Sequence, residues 1–124
     1  MTGRVVRGID FNDLFASIDA MDTERFLSFF AEDATFRFGS APAAKGTTEI
    51  RAAVDGFFGS VAAVRHQLHR IIADDDGIAC EGEVTYTRHD GREIALPFAN
   101  VFETEAGRFS QYRIYIDIAP LFAE

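Results

Sequence analysis

Phe29-Phe30-Ala31-Glu32-Asp33-Ala34-Thr35-Phe36-Arg37-Phe38 decides the fold. Phe26, Leu27, Phe29 and Phe30 share one side of a helix that Asp22 or Thr23 starts, and Asp33-Ala34 ends it. Thr35 to Phe38 then alternate as a strand, so a helix runs straight into a strand. Upstream, Asp10 caps an earlier helix whose apolar positions, Phe11, Leu14, Phe15 and Ile18, are spaced for one face. Downstream, Gly39 to Gly46 reads as a loop. Thr47 or Thr48 then caps a third helix with the stripe Ile50, Val54, Phe57, Phe58 and Val61.

From Val64 onward the pattern is β. Strands are expected over 64–73, 78–88, 93–103 and 108–118, with turns at Asp75-Asp76-Gly77, Asp90-Gly91 and Ala106-Gly107. No repeat, linker or low-complexity segment divides the chain, so residues 1–124 form one domain. Three helices with a short strand among them, followed by a strand meander, predict an α+β protein in which the helices cover one face of a curled antiparallel sheet. Strand 93–103 is apolar at both parities: Ile94, Leu96, Phe98 and Phe102 on one side, Ala95, Pro97, Ala99 and Val101 on the other. A strand apolar on both faces needs cover on both. A second copy of the chain is the simplest cover for the outer face, so a homodimer is expected.

Composition excludes several functions. Thirteen Phe, three Tyr and no Trp among 124 residues predict a markedly apolar interior. A net charge of −8 without a basic run argues against nucleic acid and anionic membranes as partners. No apolar run is long enough to span a membrane, and Met1-Thr2-Gly3-Arg4 leads into no secretory core, so the cytoplasm is the expected location. The single Cys80 leaves no internal disulfide and reads as a small buried hydrophobe. His66 and His69, three apart on one strand, face opposite sides and cannot share an ion. No metal and no cofactor are expected. His66 or His69 then serves as an ordinary pocket-lining or interface histidine, and His89 beside Asp90-Gly91 is expected to be solvated.

The Phe29 to Phe38 stretch, Gly46-Thr47-Thr48-Glu49-Ile50-Arg51 and the closing Tyr112-Arg113-Ile114-Tyr115-Ile116-Asp117 together resemble the nuclear transport factor 2-like superfamily, SnoaL-like branch. This superfamily also holds ketosteroid isomerases and limonene epoxide hydrolases. The resemblance spans about residues 9 to 118 and implies a cone-shaped, curved antiparallel sheet wrapped by three N-terminal helices around a pocket.

It also implies which known chemistries are missing. The isomerase base, oxyanion tyrosine and oxyanion aspartate would fall at Phe38, Leu14 and Ala99, none of which can do that work. The aspartate–arginine–aspartate set of the epoxide hydrolases would fall at Pro97, Ala99 and near Ile114, and is likewise absent. SnoaL-like cyclases use an acid–base aspartate near the chain end, for which Asp117 is the candidate. Asp117 also fits a cap for Ile118-Ala119-Pro120-Leu121, and that reading is favoured.

The catalytic candidates are Asp117 and Tyr112. The proposed ligand-binding residues are Phe15, Phe36, Phe38, Phe58, Val84, Tyr86, Asn100 and Ile114. The resemblance implies that Ala99 faces the cone and Asn100 the dimer side, although Asn100, Tyr86 or Tyr112 can also orient a ligand by hydrogen bonding. The expected function is binding of a small hydrophobic molecule, with conversion of cyclase, isomerase or dehydratase type left open. A non-catalytic module that binds a lipophilic ligand, or serves dimeric interaction, is the alternative.

Overall fold

The computed structural model describes residues 4–123. A short hairpin of β1 (Val5–Val6) and β2 (Ile9–Asp10) leads into α1 (Phe11–Asp19). Asp10 caps α1 as its spacing predicts, its carboxylate accepting from the Asp13 N–H at 3.1 Å. α2 follows as Thr23–Leu27, capped by Asp22 through the Arg25 N–H at 3.1 Å. Then come β3 (Phe30–Phe38), β4 (Ala44–Lys45), α3 (Gly46–Gly59), β5 (Ala63–Ala73), β6 (Ile78–Thr87), β7 (Glu93–Glu105), β8 (Arg108–Tyr115) and α4 (Ala119–Phe122).

Six strands form the main sheet in the order β4-β3-β8-β7-β6-β5. Its pairs are antiparallel except β3 with β8, which is parallel, so the sheet is not wholly antiparallel as expected. A meander supplies only antiparallel neighbours. β3 comes from before the meander and joins β8 through the rest of the chain.

Other differences have local causes. The second helix stops at Leu27, not Asp33, and the residues after it belong to β3. Pairing with β8 overrides the helical pattern there, and a register shift between Phe30 and Thr35 takes up the misfit. Lys45, not a threonine, is the N-cap of α3, and Glu49 reaches back to the Lys45 N–H at 2.9 Å. Among the described residues four helices are present where three N-terminal ones were expected, the fourth being the short C-terminal α4. The two-residue strands β1, β2 and β4 are too short to show a period.

Alternation gives the sheet one buried face. β6 turns Ile78, Cys80, Gly82, Val84 and Tyr86 inward, and β7 turns Leu96, Phe98, Asn100 and Phe102 the same way. The register lines these up across strands. One row runs His66–Val84–Leu96, a second Cys80–Asn100–Ile114–Phe38, and a third Phe102–Tyr112–Phe36. α1 packs toward β5 and α3 toward β3 over this face.

Curvature is built in at one glycine. A Cβ on Gly82 would come 2.1 Å from the Gln67 carbonyl oxygen, so β5 folds over β6 where only glycine leaves space. The adjoining register shift between Leu68 and Arg70 leaves exposed His69 in a bulge. Beyond the third row, Phe30 stacks on Tyr112 at 5.4 Å between centroids and Phe102 on Phe109 at 4.7 Å. This aromatic cluster fills the interior at one end.

Candidate functional site

The curved face, the end of α1, α3 and the segment after β8 enclose a cavity of about 280 Å3. Its wall is almost entirely hydrocarbon. Ile18, Val54, Phe57 and Phe58 come from the helices, and Phe36, Phe38, Val64, Val84, Phe98 and Ile114 from the strands. Ile116 and Ile118 come from the C-terminal segment. Four polar side chains interrupt it: His66, Tyr86, Asn100 and Tyr112.

Two of the four carry buried atoms without a partner. Asn100 Oδ1 and the Tyr112 hydroxyl make no hydrogen bond, although the two residues are 2% and 0% exposed. An unpaired polar atom in such surroundings costs about 1–3 kcal/mol. A core built only for stability would replace it with a methyl. Burial holds the Tyr112 phenol well above its ordinary ionisation, with nearby Cys80 and Tyr86 adding to the effect. Burial likewise raises Tyr86. Both phenols therefore remain hydrogen-bond donors. The Cys80 thiol is pushed up to about 12 by burial, with a hydrogen bond involving the Asn100 backbone pulling the other way. It is no nucleophile.

His66 is differently placed. Its Nδ1 lies 2.6 Å from Oδ1 of Asp19, the last residue of α1, and its backbone N–H donates to Oδ2 of the same carboxylate at 3.0 Å. The ring lies 4.8 Å from that of Phe15 and 5.4 Å from that of Phe98, nearly perpendicular to the latter.

Of the residues singled out from sequence, Phe36, Phe38, Phe58, Val84, Tyr86, Asn100, Tyr112 and Ile114 all line the cavity. Phe15 does not, being buried behind His66 and Phe98. Asp117 is exposed and off the cavity wall, and its carboxylate accepts from the Ala119 N–H at 3.0 Å. It holds the turn into α4. The inward position on β7 is Asn100 and not Ala99, which is exposed. With a period of two, Phe98 and Phe102 facing inward fix Asn100 between them. Leu14 is fully buried and reaches no cavity wall.

Asp19 was missed. It looks like an ordinary polar residue at a helix end, and its partner lies 47 residues away. Its one legible signal is its place just after Ile18, which continues the buried stripe. Among the described residues no group of three His, Cys, Asp or Glu is arranged to hold a metal ion. No helix among them is long and apolar enough to cross a membrane.

A helix-covered, curved six-stranded sheet around an apolar cavity defines a nuclear transport factor 2-like protein. Residues 11–112 match the SnoaL-like domain, and the chain belongs to that family. Among solved structures it is similar to a nuclear transport factor 2-like protein from Burkholderia pseudomallei K96243, with a TM-score of 0.81, 19% identity and 90% of each chain covered. It is also similar to TerC crystallised with polyporic acid, with a TM-score of 0.79, 16% identity, and 90% of this chain and 91% of that one covered. It is similar as well to an LEH-like epoxide hydrolase from M. tuberculosis, with a TM-score of 0.74 and 18% identity over 90% of this chain and 83% of that one. These likenesses establish the fold. No curated protein matches the sequence.

Proposed function

We propose that the cavity binds a small, flat, mainly apolar molecule carrying one hydrogen-bonding end, and that Tyr112 and Asn100 receive that end. The observation that carries this reading is the pair of unpartnered buried polar atoms on an otherwise hydrocarbon wall. A ligand carbonyl or hydroxyl gives both groups the partner that the protein lacks. The Asn100 amide can offer either its oxygen or its nitrogen by turning over. Size limits the ligand. A cavity of ~150 Å3 accepts benzene, so about 280 Å3 has room for two fused rings. The rings Phe36, Phe38, Phe57 and Phe98 favour a flat shape.

The test is a titration with 2-tetralone, a flat two-ring ketone, followed by NMR. Shifts should concentrate at Asn100, Tyr112 and their neighbours. Asn100→Leu, close in volume but without the amide, should bind at least tenfold more weakly. Binding unaffected by Asn100→Leu and Tyr112→Phe would refute the anchoring role.

Dimerisation through the outer face of the sheet is a second proposal, with its own support. Ala95, Pro97 and Ala99 are exposed on β7, and Tyr115, 55% exposed, stands opposite Ala99 on β8. Light scattering at micromolar concentration should give twice the chain mass, and Ala99→Arg should give the monomer. A wild-type monomer would end this proposal.

A further inference from the structure

The cavity holds a histidine in a setting that the binding reading does not use. The Asp19 carboxylate has no proton to donate, so its short contact makes Nδ1 of the neutral ring the protonated nitrogen. The His66 backbone N–H occupies the other carboxylate oxygen. Phe15 and Phe98 pack against the ring and hold its orientation. Nε2 is left with its lone pair, makes no hydrogen bond within the described residues, and belongs to a side chain on the cavity wall. Elsewhere on the same wall stand Tyr112, a phenol kept protonated, and Asn100.

A base, a carboxylate behind it, and donors for a developing oxyanion are the groups that removing a proton next to a carbonyl requires.

We propose that His66 is the base of a proton-transfer site and Asp19 its positioning residue, acting on an enolisable ketone held as in the binding reading, on which this proposal rests. Nε2 takes the proton from the carbon beside the carbonyl. The C–H electron pair becomes the new C=C bond, and the carbonyl π pair moves onto oxygen, where Tyr112 or Asn100 donates to it. Asp19 stabilises the imidazolium. The ring then returns a proton to carbon, so the step is balanced without oxidant, reductant or metal. Asp19 also fixes which nitrogen is the base. In Asp19→Asn the backbone N–H of His66 keeps the amide oxygen, which turns the amide NH2 toward Nδ1. The neutral ring must then carry its proton on Nε2, and the base is gone although the shape is kept.

2-Tetralone in D2O tests this directly, because its CH2 between ring and carbonyl exchanges through the enolate. Wild-type protein should speed deuterium incorporation there well above buffer. His66→Phe and Asp19→Asn should each lose at least tenfold of that rate at saturating ketone, with ketone affinity within about threefold of wild type. In 15N spectra the neutral His66 ring should carry its proton on Nδ1 in the wild type and on Nε2 in Asp19→Asn. Ketone that binds without faster exchange overturns the dyad and leaves the binding reading standing. Ketone that does not bind overturns both. A wild-type ring protonated at Nε2 overturns the dyad even if Asp19→Asn fails to fold.

Discussion

One carboxylate of Asp19 holds His66 twice, by its ring and by its backbone N–H, and so ties the end of the first helix to the edge strand of the sheet. The pair is partly sheltered, with the histidine side chain 10% exposed and the aspartate 29%. Losing both bonds in Asp19→Ala should cost about 1–2 kcal/mol, below the upper range for charged hydrogen bonds because water reaches the carboxylate. Urea unfolding measures this. A change under about 0.3 kcal/mol would show that the contact does not hold the helix.

Tyr112→Phe removes a buried hydroxyl that makes no hydrogen bond within the protein. It should leave the melting temperature unchanged or raise it, by an amount corresponding to about 1 kcal/mol, while weakening 2-tetralone. A substantial loss of stability would mean that the hydroxyl is bonded in solution.

Gly82→Ala should be among the most damaging small changes. The added methyl meets a backbone oxygen at 2.1 Å, where no side chain can swing aside. A loss of about 3 kcal/mol or more is expected, measurable as a lowered urea midpoint or as insoluble protein. Near-wild-type stability would show that the sheet bends without this close approach.

Asp117→Ala should lower stability by about 1 kcal/mol, the usual worth of a capping carboxylate, and leave ketone exchange intact. Lost exchange with an unchanged melting temperature would make Asp117 the acid–base group after all.

Alkaline pH should destabilise the fold before it affects an ordinary surface. Cys80 ionises near 9.0 when free but only at about 12 in the folded protein, and Tyr86 and Tyr112 are raised in the same direction from 10.0. The folded state then binds more protons than the unfolded chain, so stability is whole below about pH 9 and declines above it. Chemical denaturation from pH 8 to 11 tests this. A flat profile would mean that these groups ionise without unfolding.

Strong periods were legible in the sequence and weak ones were not. Phe11, Leu14 and Phe15 marked their helix because a stripe needs only local spacing. Phe36 and Phe38 on the cavity wall followed from their shared strand parity together with the family resemblance, and Tyr112 from the resemblance. The parity of Asn100 was misread because β7 is apolar at both parities, so its own pattern could not choose a face. Phe29 to Asp33 suit a helix, and only pairing with β8 makes a strand of most of them. Asp19 and His66 carry no shared motif, and their meeting depends on where α1 ends against β5, a property of the fold as a whole.

The parallel pairing of β3 with β8 has a consequence for how the chain acquires its shape. A strand from the first third waits for a partner made almost last, and such distant pairing slows folding. Until Arg108–Tyr115 arrives, β3 has only the two-residue β4 beside it, at Thr35 and Phe36, and a growing chain carries the other edge of that adhesive segment unpaired through most of its synthesis. Crowded refolding should therefore favour aggregation of fragments that stop before residue 108, and a peptide copy of β8 should suppress it.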